Sequence, residues 1–168
     1  MEIVVLIIVL ALVFDFYNGM NDAANSIATI VSTRVLTPFQ AVAWAAFFNF
    51  VAAFAFGVSV ATTIGKGLVD VNIVDNFVIF SGIAGAIILT ASATHLGLPI
   101  SVSHAIIGGY GGAAITKAGI SAIIISGYTK IVIFIFLAPV IGLIGAYLFS
   151  IATLWMVKNQ SPRKVDKY

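Results

Sequence analysis

The sequence predicts an all-α integral membrane protein, and three observations carry that prediction. Of the 168 residues 61% are hydrophobic. Only 8% are charged, against about 25% in an ordinary soluble domain. The apolar residues are also gathered into blocks of span length. Disorder demands the opposite composition. One crossing takes about 20 apolar residues for roughly 30 Å of hydrocarbon, so these residues hold at most about six crossings and leave no room for a separate soluble domain.

Apolar segments run over residues 3–33, 38–64, 77–96, 99–128 and 129–157. Residues 1–157 therefore read as one transmembrane domain. Residues 158–168 read as a tail, which holds Lys158, Arg163, Lys164 and Lys167, four of the eight basic residues. Under the positive-inside rule that tail is cytoplasmic, and the protein reads as a multi-pass protein of the cell membrane. The basic residues form no groove-sized patch, so a nucleic-acid partner is excluded. There is no cysteine, hence no disulfide, iron–sulfur cluster or thiol nucleophile. The first segment is not a cleavable signal, because Glu2 stands where a basic n-region belongs.

The first segment carries Asp15, Asn18, Asn21, Asp22, Asn25, Ser26, Thr29 and Ser32. At 100° per residue, all of these except Ser26 fall within an arc of about 120°. That face cannot meet lipid, since a carboxylate at mid-bilayer costs about 2.5–3.5 kcal/mol even on insertion scales. It meets water, an ion or other polar groups. Two readings are open, a polar seam between helices and a ligand site. Carboxylate and carboxamide oxygens are hard ligands for Na⁺, a carboxylate can also take a proton, and carboxamide N–H groups can donate to an oxyanion.

The second segment is rich in Phe and Ala, which suits a wall facing lipid or packing on a neighbour. Asn49, in its middle, reads as interhelical hydrogen-bond glue. The fourth opens with Pro99, Ser101, Ser103 and His104, and then runs through Gly108, Gly109, Gly111 and Gly112. So many glycines predict a broken or re-entrant helix at 99–115. Irregular backbone at membrane depth survives only inside protein or along a wet cavity, so this stretch is expected to line the site. Pro99 at the first helical position would leave the N–H groups of residues 100–103 free, an anion site needing no fixed positive charge. A serine cap beside a packed histidine is the competing reading. The fifth segment reads as a helix kinked at Pro139, with Gly142 and Ala146 suited to close packing.

At these residues the sequence resembles the inorganic phosphate transporter (PiT) family of ion-coupled carriers. Asn18-Gly-Met-Asn21-Asp22-Ala-Ala-Asn25-Ser26 is close to its Gly-x-Asn-Asp-x-Ala-Asn-Ser signature. Gly97-Leu-Pro99-Ile-Ser101-Val-Ser103-His104 is close to its Gly-Leu-Pro-Val-Ser-Thr-Thr-His motif, with Val102 where threonine is usual. The resemblance implies a secondary carrier moving inorganic phosphate with Na⁺ or H⁺ and needing no other cofactor. It places phosphate at Asp22, Asn25, Ser101, Val102 (through its N–H), Ser103 and His104. The coupling ion falls to Asn21, Asp22, Asn25 and Ser26, with Na⁺ at Asn21, Asp22 and Asn25.

Family members are built of two inverted repeats, and five segments match one. The chain thus reads as half a carrier. Its partner in the bilayer is a second repeat supplied by further chain, a separate chain or an antiparallel homodimer. Sulfate is the alternative substrate. An intramembrane serine hydrolase using Ser101 or Ser103 with His104 and Asp22 is the reading from another class, disfavoured because Ser103 and His104 are adjacent and no nucleophile elbow is present.

Overall fold

The computed structural model describes residues 2–56 and 59–160. Arg163, Lys164 and Lys167 of the expected tail lie outside them. The described chain is all-helical: α1 (Glu2–Ser32), α2 (Pro38–Phe56), α3 (Ser59–Gly67), α4 (Asn76–His95), α5 (Val102–Ala118), a 3₁₀ turn (Ile120–Ala122) and α6 (Ile125–Val157). Among the described residues, α1, α2, α4 and α6 are long and apolar enough to cross a membrane. The chain forms two compact units that part after Ile125. The second is the single helix α6, with Pro139 inside it.

Two expectations are revised. Asn49 is exposed on α2 and makes no interhelical hydrogen bond among the described residues, whereas Phe47, Phe50 and Phe54 around it are exposed as a lipid-facing wall requires. In the fourth segment the four glycines sit inside one continuous helix, α5, and the breaks flank it at Gly97 (φ 67°) and Gly119 (φ 80°).

The ends of the helices follow from local chemistry. Thr37 and Gln40 form a capping box at the start of α2: the Thr37 N–H and hydroxyl donate to Gln40 Oε1, and the Gln40 N–H donates to Thr37 Oγ1. Pro38 occupies the first helical position, where its missing N–H costs nothing. α1 ends with Arg34 in the left-handed region (φ 58°), the Arg34 N–H on the Val31 carbonyl and the Val35 N–H on that of Ile30. That pairing is a Schellman motif. α4 ends in the same way, with Gly97 left-handed, its N–H on the Thr94 carbonyl and the Leu98 N–H on that of Ala93.

The core of the first unit is an antiparallel hairpin of α4 and α5. Val78, Gly82, Ala86, Thr90 and Ala93 form one buried stripe along α4. Their small size lets the backbones approach, as helices do in lipid, where hydrophobic driving force between them is absent. Gly82 lies directly against Gly109 and Tyr110. At the end remote from the 96–101 turn, Lys117 pairs with Asp75 at 2.6 Å and donates to the Ile73 carbonyl. There the connectors are joined as well, through Asp70 N–H on the Ala122 carbonyl and Ile124 N–H on that of Leu68. Asp75 also caps α4 by accepting from the Val78 N–H. The Lys117 ammonium, then that N–H, hold its carboxyl below the usual carboxylate range.

α1 runs alongside α4 in the same direction. Phe14 shares an apolar cleft with Ile79 and Ile83, and two turns further along Asn21 meets Thr94.

Candidate functional site

The site grows from the polar face of α1. Asn18, Asn21 and Asn25 recur at helical spacing, which turns one carboxamide per turn toward α4. The Thr94 hydroxyl donates to Asn21 Oδ1 (3.2 Å), and Asn21 Nδ2 donates to the Tyr17 carbonyl (2.9 Å). Asn21 is thereby oriented with one amide N–H to spare. Asn25, one turn on, is exposed. Opposite these lies the Schellman turn, and together Asn21, Asn25, Thr94, Gly97, Leu98, Pro99 and Ile100 line a polar cleft of about 330 Å³. No lining residue carries a charge.

The start of α5 adjoins this cleft. Ser101 is its N-cap, and Ser101 Oγ accepts from the His104 N–H (3.3 Å). The first intrahelical bond is that of the Ala105 N–H to the Ser101 carbonyl. The helix therefore begins three residues later than Pro99 predicts, and the N–H groups without an intrahelical partner are those of Val102 and Ser103. The Ser101 hydroxyl proton remains to donate outward. Val102 is buried through its side chain, so it offers only backbone. Ser103 and His104 are exposed.

The structure thus brings Asn21 and Asn25 to the motif that opens at Gly97. Asp22 is exposed on α1 beside them rather than in the cleft lining. Ser26 spends its hydroxyl proton on the Asp22 carbonyl (2.8 Å), although its lone pairs stay available. Sequence reasoning missed Thr94 and Ile100. The available signal was Thr90 and Thr94, one turn apart on an otherwise apolar helix.

One turn below the cleft, the Asn18 Oδ1 and Thr90 Oγ1 atoms are buried without a hydrogen-bond partner. Each such group costs about 1–3 kcal/mol.

A polytopic helical membrane protein that holds uncharged hydrogen-bonding groups in a cleft beside a free helix N-terminus is the class these features define. Residues 18–167 match the phosphate transporter family, and the chain belongs to that family. It is similar to a probable low-affinity inorganic phosphate transporter of Rhizobium meliloti (strain 1021), with 49% identity over 160 residues, 95% of this chain and 48% of the relative. A transporter of the same description from Bacillus subtilis (strain 168) is 42% identical over 166 residues, 97% of this chain and 49% of the relative. Among solved structures, "The sodium-dependent phosphate transporter" superposes with a TM-score of 0.86 at 33% identity, covering 98% of this chain and 42% of that one. The chain spans about half the length of the curated relatives it matches. The family consists of transporters, not enzymes. The hydrolase reading also lacks its geometry, since Ser101 Oγ meets the backbone N–H of His104.

Proposed function

We propose that this chain supplies one half of a secondary carrier that moves inorganic phosphate together with sodium across the cell membrane. The observation that supports this best is the cleft between Asn21 and Asn25 of α1 and the Gly97–Ile100 turn that leads into α5.

Phosphate needs donors without a large desolvation penalty. Asn25 offers carboxamide N–H groups, Ser101 and Ser103 offer hydroxyls, and Val102 and Ser103 offer N–H groups at the positive end of the α5 dipole. His104 adds a switchable donor. Asp22 can accept the proton that phosphate keeps at neutral pH, which sulfate lacks. Its charge also makes anion binding unfavourable until a cation sits between, and Asn21, Asp22, Asn25 and Ser26 supply the oxygens for one. The cation then raises phosphate affinity, and phosphate raises cation affinity by the same factor. Sodium takes precedence over H⁺ because the structural relative is named as sodium-dependent.

Asp15, Asp22, Asn25, Ser26 and Thr29 are exposed in the first unit, and such a face cannot meet lipid. A second repeat covers it in this reading, consistent with relatives of twice the length. We favour further or separate chain over an antiparallel homodimer as its source, and we assign residues 158–168 to the cytoplasm.

The test is uptake of radiolabelled phosphate into proteoliposomes holding the chain with its second half under an inward sodium gradient. The reading expects concentrative uptake, abolished in Asp22→Asn and strongly reduced in Ser101→Ala. Unchanged uptake in both variants would refute these assignments.

A further inference from the structure

The apolar cleft that Phe14 and Ile83 share takes no part in the function proposed above. Its volume is about 450 Å³, and Gly65 of α3, Val74 of the connector, and Ile106 and Tyr110 of α5 also line it. Phe14, Val74, Ile83 and Ile106 are each left half-buried by the fold. Its polar rim is the Tyr110 hydroxyl, which donates to the Gly65 carbonyl at 3.3 Å. From the connectors at the bilayer surface the cleft runs inward. Ile83 stands seven residues inside the start of α4 and Ile106 twelve inside the end of α5, hence about 10 and 18 Å along their helices. That depth is one leaflet of a roughly 30 Å hydrocarbon core.

The charge at the mouth selects the occupant. Lys66 follows Gly65 in the last turn of α3 and is exposed. The carboxylates of the neighbouring connector are engaged elsewhere. Asp75 pairs with Lys117, and Asp70 accepts from the backbone and side-chain N–H groups of Asn72. Lys66 is therefore left without an ion-pair partner among the described residues. Protein partners in lipid seat on small and polar residues, whereas this wall is branched aliphatic and aromatic. A wall of that kind beneath an unpaired cation matches an acyl chain below a negative headgroup, the pattern by which basic pockets between spans hold anionic lipids. We propose that the cleft binds one acyl chain of an anionic phospholipid, whose phosphate pairs with Lys66 at the mouth. The site is independent of what the carrier moves.

The test is photolabelling by phosphatidylglycerol with a diazirine on its acyl chain, alongside a matched phosphatidylcholine probe, on the purified full chain with its second half in phosphatidylcholine nanodiscs. Adducts are expected on the peptides that hold Ile83 and Ile106, about fivefold more from phosphatidylglycerol than from phosphatidylcholine. Lys66→Gln should equalise the two probes, and Lys66→Arg should keep the preference. Ile83→Trp fills the cleft and should abolish labelling there, while Ile88→Trp, at an exposed position of α4, should leave it unchanged. Val74→Trp blocks the mouth and decides the matter should Ile83→Trp fold poorly. Labelling spread evenly over lipid-exposed residues overturns the site, as does unchanged labelling in Ile83→Trp or, where that variant misfolds, in Val74→Trp. Equal labelling of the unmodified protein by both probes overturns the anionic headgroup. Labelling seen with this chain alone and lost once the second half is added makes the occupant protein, and overturns the proposal as well.

Discussion

Gly109→Ala is the most discriminating structural variant, because Gly109 is where α4 and α5 touch backbone to backbone. A Cβ there falls well inside contact distance of the Gly82 carbonyl oxygen and 3.3 Å from the Ala86 nitrogen. A carbon sits about 3.3 Å from a carbonyl oxygen at closest ordinary approach, so the helices must part by on the order of 1 Å. Both obstructing groups are backbone and cannot rotate aside. A gap of 0.5–1 Å forfeits roughly a quarter to a half of each affected contact, and overpacking of this kind costs about 1–3 kcal/mol. Against that stands a gain of about 1 kcal/mol in helix propensity. The net loss is about 0–2 kcal/mol, up to a factor of roughly 30 in the folded population. Gly108→Ala and Gly112→Ala meet nothing within 4 Å and retain only the gain. Thermal unfolding in detergent should rank Gly109→Ala below the unmodified protein and both control variants at or above it. Gly109→Ala melting level with Gly112→Ala would refute the close crossing.

Other variants probe the turns and the far end of the hairpin. Gly97→Ala places a Cβ at φ 67°, costing about 1–2 kcal/mol and displacing the cleft-lining turn, so phosphate affinity should fall together with melting temperature. Gln40→Ala removes half of the α2 capping box and should lower stability by about 1 kcal/mol in chemical unfolding, with transport intact. Lys117 depresses the Asp75 carboxyl, so the pair's contribution is present above the ordinary aspartate value and is lost as pH falls through the lower folded value. Melting curves of Asp75→Asn, which keeps the cap, should therefore lie below the unmodified protein at pH 5–7 and converge with it below about pH 4. A constant difference at every pH would contradict the ion pair.

The parts of this fold legible in the sequence are those set by hydrophobic length and by capping chemistry. α1 and α4 fall within a residue of the apolar blocks at 3–33 and 77–96, because Asp75 and the Gly97 turn punctuate the pattern. The glycines of α5 misled for a physical reason. Gly109 sits in the helix because Gly82 of α4 needs the space, a relation between distant residues that no local rule contains. Among the described residues, only Gly97 and Gly119 use glycine's freedom of φ. In the same way, the periodicity of α1 picked out a polar face from Asp15 to Ser32, of which Asn21 and Asn25 line the cleft. Which of the polar residues face α4 became visible only when Thr94 was placed beside Asn21.

The absence of cysteine allows the central claim to be tested at a single position. With Ile100→Cys, which lines the cleft without donating a side-chain ligand, a membrane-permeant thiol reagent reads occupancy of the site. The account predicts that phosphate with sodium slows labelling of Ile100→Cys in membranes holding the chain and its second half. Labelling of Phe47→Cys, exposed on α2, should be unaffected. Labelling of Ile100→Cys at the same rate with and without phosphate would place the substrate elsewhere and contradict the account.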